Sequence, residues 1–525
     1  MAYEEVTRIW ELYEKGKAHH NQKKMYSKAD RCHKMYEGDQ WDGIDGVDKT
    51  KLPMENFIAP VVKYKVASVA MNGFTITYNP MGGGDEAVCK VLNDHAAQKW
   101  EQQKMDTRMW EMAQEAAIVG ESFLFFYDRH LDTQMIDGTA VYLGDEQQPD
   151  LQKQPYIIIY ERRLVRDVVA DAKKYHVKKS EIENIVADED NDTLVGDKVE
   201  VKGDHGKCSC LLYLTKKNGE IHFTRCTKTV VYQPETRMAG MRMYPMVNLI
   251  WNRAHNSARG IGEVWPMIPN QIEANKMLYR RLENTKMTAF NKLVYVEGLV
   301  ENPENLTEAG TPIRIREGSA QSVNDYITFL QTPAIGNDAA ALQQEIIDRT
   351  RDLANAGDAA MGDINPEQAS GAAIAAVRDA QAIPLNEQQN AIKQLVEDIG
   401  KVWLDMMCTY SPDGILANGR LVAKPQQIRA MQMQIKIDVS PRDPFSKFAQ
   451  EQTLAAMYQS GAITLEEYVD ALDDDSNTPK AKLQKILTER GKGNVQPGML
   501  PPGNAGGGTE NGGWTGGAGI ALPGM

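Results

Sequence analysis

The sequence predicts an α+β fold, mainly helical, and three observations lead there. Several segments of some twenty residues or more run without Gly or Pro and carry apolar residues at helical spacing. Short β-prone runs crowd between residues 122 and 236, separated by turn residues. A second β-prone stretch, from Lys292 to Phe329, interrupts two polar helices.

Residues 3–37 read as one helix, with Val6, Ile9, Trp10 and Tyr13 at helical spacing. Gly38 to Lys51 is turn-rich; a second helix is expected from Asn56 to Met71, then a short strand, Phe74–Tyr78. After Gly82–Gly84 a long helix runs from Asp85 to Val119 and ends at Gly120, a residue suited to that place. The β-prone runs are Ser122–Tyr127, Tyr156–Tyr160, Leu211–Leu214 and Ile221–Thr224, with Asn218-Gly219 as a hairpin signal between the last two.

From Tyr244 an apolar strand leads into a polar Gly loop and then a charge-studded helix. Pro266 and Pro269 suit its first turn, where a missing N–H costs little. From Asn270 to Phe290 it extends roughly 30 Å. Its apolar residues (Ile272, Met277, Leu278, Leu282, Met287) form only a narrow stripe, so it gains little from packing within one monomer. Asp338–Asn355 is a second polar helix, which must lie beside the first if the ends of the β insertion meet. Gly371 to Tyr410 reads as a third, kinked at Pro384. Strands recur over 414–440, a helical unit over 445–490, and the Gly- and Pro-rich 491–525 reads as disordered.

The chain has 525 residues, enough for several domains, and a net charge of −13. That balance argues against general adhesion to nucleic acid, which clustered Lys and Arg would provide. No run approaches the roughly 18 apolar residues of a membrane span. The acidic amphipathic N-terminus does not read as a signal peptide, and six scattered cysteines suggest reduced thiols in a cytoplasm.

Ordered motifs give the chain a resemblance. They are Tyr36-Glu-Gly-Asp-Gln-Trp41, Leu52-Pro-Met-Glu-Asn-Phe-Ile58, Gly120-Glu-Ser-Phe-Leu-Phe-Phe-Tyr127, Gly260-Ile-Gly-Glu-Val264, Pro269-Asn-Gln-Ile-Glu-Ala-Asn275 and Ser370-Gly-Ala-Ala-Ile374 with the helix to Trp403. Over roughly residues 30–445 the chain resembles portal proteins of tailed bacteriophages, particularly the long-tailed-phage type. The resemblance implies a portal-like ring subunit with wing, two-helix stem, β-rich clip, tunnel loop and helical crown. Carried over by position, 1–29 is an N-terminal helical arm and 30–258 the first part of the wing, with its β-rich insertion at 122–236. The stem helices are 259–290 and 337–355, the clip 291–332 and the tunnel loop 356–369. Residues 370–440 return to the wing, 441–490 form the crown, and 491–525 the tail.

The implied function is a non-enzymatic channel at one capsid vertex, for packaging, retention and ejection of DNA. The implied partners are further copies in a ring, usually of twelve, and double-stranded DNA passing without sequence readout. The terminase large subunit, head-completion or adaptor proteins, the major capsid protein and a scaffold protein complete the set, with no cofactor and no membrane. The implied location is the virion's portal vertex, and the host cytoplasm during assembly. The alternative is another head or tail-connector structural protein seated elsewhere.

Twelve copies would carry roughly −156 formal charges, and an acidic lumen would repel phosphates. Lys276, Arg280, Lys286, Arg349 and Arg351 on the stem helices are then the candidate channel cations. They would form sparse positive rings, or pair with Glu283, Glu345, Asp348 or Asp352 on neighbouring helices. Asp358, Met361, Gly362, Asp363 and Asn365 are the candidate DNA-facing loop residues, in a segment whose glycines permit inexpensive shape change. Its other reading is an ordinary helix connection. Arg314 and Arg316, alternating with Ile313 and Ile315, suit a half-buried strand with an Arg face for an acidic partner, or a plain solvated one.

Lys173, Lys174, Lys178 and Lys179 read as a solvated loop beside acidic neighbours. His205, Cys208, Cys210, His222 and Cys226 cluster across the predicted hairpin, with Cys226 nearly opposite the Cys208/Cys210 face. Their spacing is not that of a zinc ribbon, so core thiols are expected. None of the Gly-Lys pairs has phosphate-loop spacing, and no Gly-x-Ser-x-Gly or His-Glu-x-x-His occurs. The sequence therefore indicates no enzyme and no metal.

Overall fold

The structure, a computed structural model, describes residues 2–41, 52–70, 73–81, 86–128, 130–188, 206–289, 292–307, 310–316, 322–330, 338–357, 383–411, 414–417, 420–431, 433–440, 454–455, 457–472 and 482–483. The chain divides into two units, Met1–Arg442 and Asp443–Met525.

The first unit opens with α1 (Ala2–Gln22) and α2 (Met25–Glu37), where the sequence predicts one helix. α1 buries Val6, Ile9 and Tyr13, as their spacing requires. The break comes at Lys24, whose φ of 55° is left-handed. The expected helix from Asp85 to Val119 divides the same way, into α4 (Glu86–Gln102) and α5 (Met105–Val119), around Lys104 at φ 51°. A lysine in that region costs about 1 kcal/mol and carries no Gly or Pro signal, so the sequence hides both elbows. Between them, α3 (Ile58–Ala70) accepts a cap at its N-terminus, the Ala59 N–H donating to Asn56 Oδ1 at 3.1 Å.

β1 (Gly73–Pro80) pairs antiparallel with β16 (Met433–Ser440), Gly73 opposite Ser440 and Pro80 opposite Met433. A three-stranded antiparallel sheet has the order β3 (Thr133–Ile136), β2 (Glu121–Phe126), β9 (Met246–Ile250). A five-stranded one has the order β4 (Val141–Leu143), β5 (Tyr156–Leu164), β6 (Lys207–Lys217), β7 (Glu220–Thr227), β8 (Val231–Arg237). Asn218 and Gly219, at φ 53° and 80°, make the β6–β7 turn that their sequence signals. β5 and β6 are buried on both faces. On one face Leu211 and Cys226 join the main core; on the other Cys208, Cys210 and Tyr232 pack under α6 (Val165–Lys174). α7 (Lys179–Ile182) follows.

A short ribbon, β10 (Asn252–Arg253) with β11 (Gly260–Ile261), precedes α8 (Val264–Ala289). β12 (Lys292–Tyr295), β13 (Ile327–Leu330) and α9 (Asp338–Leu353) come next. α10 (Asn386–Tyr410) starts after a 3₁₀ turn holding Pro384, and the part of the expected helix before that turn, 371–382, lies outside the described residues. α10 buries Ile392, Leu395, Val396, Ile399, Trp403 and Met406 against β2 and β9; each such side chain contributes about 1.5–3 kcal/mol. β14 (Ile415–Ala417), β15 (Arg420–Ala423) and α11 (Pro425–Ala430) lead to β16.

In the second unit α12 (Leu465–Ala471) is held by a capping box. The Thr464 N–H donates to Glu467 Oε2 at 2.8 Å, and the Glu467 N–H to Thr464 Oγ1 at 3.3 Å. Residues 491–525 lie outside the described residues. No helix among the described residues is long and apolar enough to cross a membrane.

Candidate functional site

α8 and α9 form an antiparallel pair. Arg281 Nη1 donates to Gln343 Oε1 at 2.7 Å, and, nearer the root, Asn270 Nδ2 to Thr350 Oγ1 at 2.9 Å. At 26 residues α8 is about 39 Å long. It begins at Val264, so Pro266 is in the first turn but Pro269 is inside the helix, a correction to the expected start. Only its root is buried, through Val264, Met267, Ile268, Gln271, Ala274 and Asn275. The expected apolar stripe continues outward, yet Leu282 and Met287 are exposed.

Beyond the helices, β12 pairs with β13, and Val300 bridges Ile315. Among the described residues the expected β-rich insertion is this one ribbon plus 3₁₀ turns at Pro303–Thr307 and Val323–Asp325. Twelve of the 21 exposed large apolar side chains among the described residues lie between Trp265 and Leu353, including Phe329 at 60% and Leu353 at 81% exposure. So uneven a distribution marks the hairpin as the face one monomer leaves uncovered.

The predicted channel cations sit on this hairpin. Lys276 pairs with Glu273 at 2.7 Å, Lys286 with Glu283 at 3.0 Å and Arg349 with Glu345 at 2.6 Å. Each partner belongs to the same helix, one turn away, not to a neighbouring one. Arg280 is exposed and Arg351 half-buried. Arg314 is exposed, and Arg316 reaches Glu301 at 3.5 Å; Ile313 is exposed too, so that segment lacks the half-buried alternation expected of it. Asp358, Met361, Gly362, Asp363 and Asn365 lie outside the described residues.

Two structures root the hairpin, and both are built from the motifs singled out in the sequence. The first is a buried polar network. Gln271 Oε1 accepts the Phe57 N–H at 3.1 Å, and its Nε2 donates to Glu55 O at 2.6 Å. Asn275 Oδ1 accepts the Glu55 N–H at 3.1 Å, and its Nδ2 donates to Gln40 Oε1 at 2.6 Å. Gln40 Nε2 in turn donates to Met35 O at 3.1 Å. Three separate motifs thus meet at one helix face, where every amide has a partner. Gln271→Met keeps the volume but orphans the Phe57 N–H and the Glu55 carbonyl. It is expected to lower stability by about 1–3 kcal/mol, read from denaturant unfolding.

The second root is a backbone crossing with a charged cluster beneath it. The strand 260–262 passes directly over Ile118–Gly120. The Trp251 N–H donates to Gly120 O at 2.9 Å and the Glu263 N–H to Ala117 O at 2.8 Å. A Cβ on Gly260 would stand 2.1 Å from Gly120 O, and one on Gly262 2.4 Å from Ile118 O. Glu263 also pairs with buried Lys65 at 2.8 Å and accepts from Trp251 Nε1 at 2.8 Å. Next to the crossing, buried Arg259 donates to Glu121 (2.8 Å), to both oxygens of Glu146 (2.8 and 2.9 Å), and to the carbonyls of Val141 and Gly138 (2.7 and 3.1 Å).

His20 Nε2 lies 3.1 Å from the same guanidinium. Burial, aided by Arg259, lowers the His20 pKa. For Glu146 burial pushes upward, but hydrogen bonds from Arg259 and His20 outweigh it and hold the carboxyl well below the usual range. No sequence pattern points to Arg259; only its place directly before Gly260 hints at it.

The cysteines behave as core thiols. Cys208 and Cys210 are buried with Sγ atoms 3.9 Å apart. Cys226 pairs with Leu211 and so faces the other side of the sheet from Cys208 and Cys210. Burial pushes its thiol up to about 12. His205 lies outside the described residues. The Lys173/Lys174 pair closes α6, where cations complement the helix dipole, and Lys178 and Lys179 are exposed after it.

The family model described as phage P22-like portal protein matches residues 144–413, which take in β5 to β8 of the five-stranded sheet, the hairpin and α10. No curated protein matches the chain.

Proposed function

Because the chain belongs to the phage P22-like portal protein family, we propose that copies of it close into a ring whose channel carries double-stranded DNA into and out of the capsid at one vertex. The α8–α9 hairpin is the stem of that channel, and the ribbon at its tip is the clip that docks terminase and then head-completion proteins. The role is structural, not enzymatic. One observation carries the reading: the hairpin exposes a long row of apolar side chains that a neighbouring hairpin would cover. Such contacts are heterologous, and they close into a ring when the rotation between copies is right.

The charges fit passage without adhesion. Lys276, Lys286 and Arg349 each stand beside a carboxylate one turn away, so phosphates meet compensated cations. Such exposed pairs contribute only about 0–1 kcal/mol each to stability, which leaves tolerance for DNA as their fitting role.

Negative-stain imaging and native mass spectrometry test the ring. The wild type is expected to give rings with a central hole. The double variant Leu342→Glu/Leu353→Glu changes two exposed positions, so the monomer should keep its stability within about 0.5 kcal/mol while rings disappear. Intact rings from that variant would remove the hairpin from the interface, and a wild type without rings would sink the proposal.

A further inference from the structure

A run rich in cations lies away from the hairpin. Between Lys15 and Lys34 there are seven Lys and Arg residues and one carboxylate, Asp30, in a protein of net charge −13. These residues span the elbow between α1 and α2. Lys15 and His19 lie four apart on α1, with Lys23 just past its end; Lys28 and Arg31 lie three apart on α2, after the left-handed Lys24. Lys15, Lys23, Lys24 and Lys28 are exposed, and none has a carboxylate partner among the described residues, unlike Lys276, Lys286 and Arg349.

The elbow flanks a cavity of about 510 Å³ whose lining includes His19, Lys23, Lys28 and His255. Glu121 and Glu146 also line it, and Arg259 pairs with both. Lys28 lies over the ring of Trp265 at 5.4 Å, and both side chains line the cavity.

We propose that this elbow binds the sugar–phosphate backbone of duplex DNA, as a site separate from the channel. A run of cations with almost no interleaved acid, carried on exposed helix faces, is the footprint of phosphate recognition. A protein partner's acidic surface would more commonly meet mixed signs at the rim of its interface. Contact would be without base readout, because the four exposed cations of the elbow, Lys15, Lys23, Lys24 and Lys28, are lysine point charges and not planar forks. The inference rests on duplex DNA being the cargo of the ring, and it adds a place where DNA outside the lumen is held.

The test is fluorescence anisotropy of a short labelled duplex with the assembled full-length protein, across a salt series. Four phosphate contacts predict a slope of about −3.6 in log affinity against log salt, or about a hundredfold loss between roughly 50 and 200 mM. Lys15→Glu/Lys23→Glu/Lys24→Glu/Lys28→Glu should abolish binding, and the same four positions changed to Arg should keep it. Lys173→Glu/Lys174→Glu/Lys178→Glu/Lys179→Glu makes the same charge change elsewhere and should bind as the wild type does. If the Glu variant fails to fold, a fourfold Gln variant, checked by near-ultraviolet circular dichroism, replaces it.

Binding that survives at the elbow variant, or falls equally in the control, overturns the proposal. So does an elbow variant that loses its rings yet still binds DNA, because the surface would then belong to a neighbouring copy. A wild type without rings overturns the portal reading instead, so the two failures are distinguishable.

Discussion

Gly260→Ala is expected to lower the stability of the first unit by more than about 3 kcal/mol, the upper end for overpacking, because the obstacle is backbone. The added methyl would stand 2.1 Å from Gly120 O, 2.9 Å from Gly120 C and 3.0 Å from Ile250 Cγ2. A side chain in its place could turn aside; a carbonyl hydrogen-bonded to the Trp251 N–H cannot. Gly120 itself has φ +124°, a conformation that glycine adopts without the strain an L side chain would meet, so neither glycine of the crossing is replaceable at low cost. Denaturant unfolding reads the effect. Cooperative unfolding within about 1 kcal/mol of the wild type would mean that the crossing is looser than described.

Arg259→Met should be nearly as severe, by about 3–5 kcal/mol, because it leaves Glu121 and Glu146 buried without their cation. The loss should depend on pH in a defined direction. In the wild type the Glu146 carboxyl lies below its ordinary 4.5, so its contribution is complete above that pH and lost as pH falls further. In the variant the unpaired carboxyls are raised by burial, and the folded state gains stability as acid neutralises them. The gap between variant and wild type should therefore narrow on going from neutral pH toward about pH 5. Unfolding curves at several pH values check this, and a gap that widens in acid would refute it.

Much of the fold was readable because local chemistry and tertiary structure agree. Asn218-Gly219 specifies its turn, and the polar helices on either side of residues 292–330 have to lie together if their ends are to meet. The elbows at Lys24 and Lys104 were not readable: a left-handed lysine has no compositional signature, and neighbouring helix packing compensates its cost.

The site was legible as words and not as contacts. Gln40, Glu55, Gln271 and Asn275 lie in motifs that the sequence singles out, but the spacing does not say that they bond to one another. The candidate channel cations lie on a polar hairpin, and Lys276, Lys286 and Arg349 each find a carboxylate one turn away on the same helix, not on a neighbouring one.

The pairing of β1 with β16 has a consequence for how the chain is made. About 350 residues separate Pro80 from Met433, the two residues that lie side by side at one end of the ladder. At the usual rate of about 5–20 residues per second, a ribosome needs roughly 20–70 s to travel that distance. For all that time the first strand is out of the exit tunnel with its partner not yet synthesised. Its residues Phe74, Ile76 and Tyr78, buried in the finished protein, are then available to any other strand edge. The last strand of the first unit thus seals the first strand made, and a newborn subunit is protected from its siblings only once nearly the whole first unit is complete.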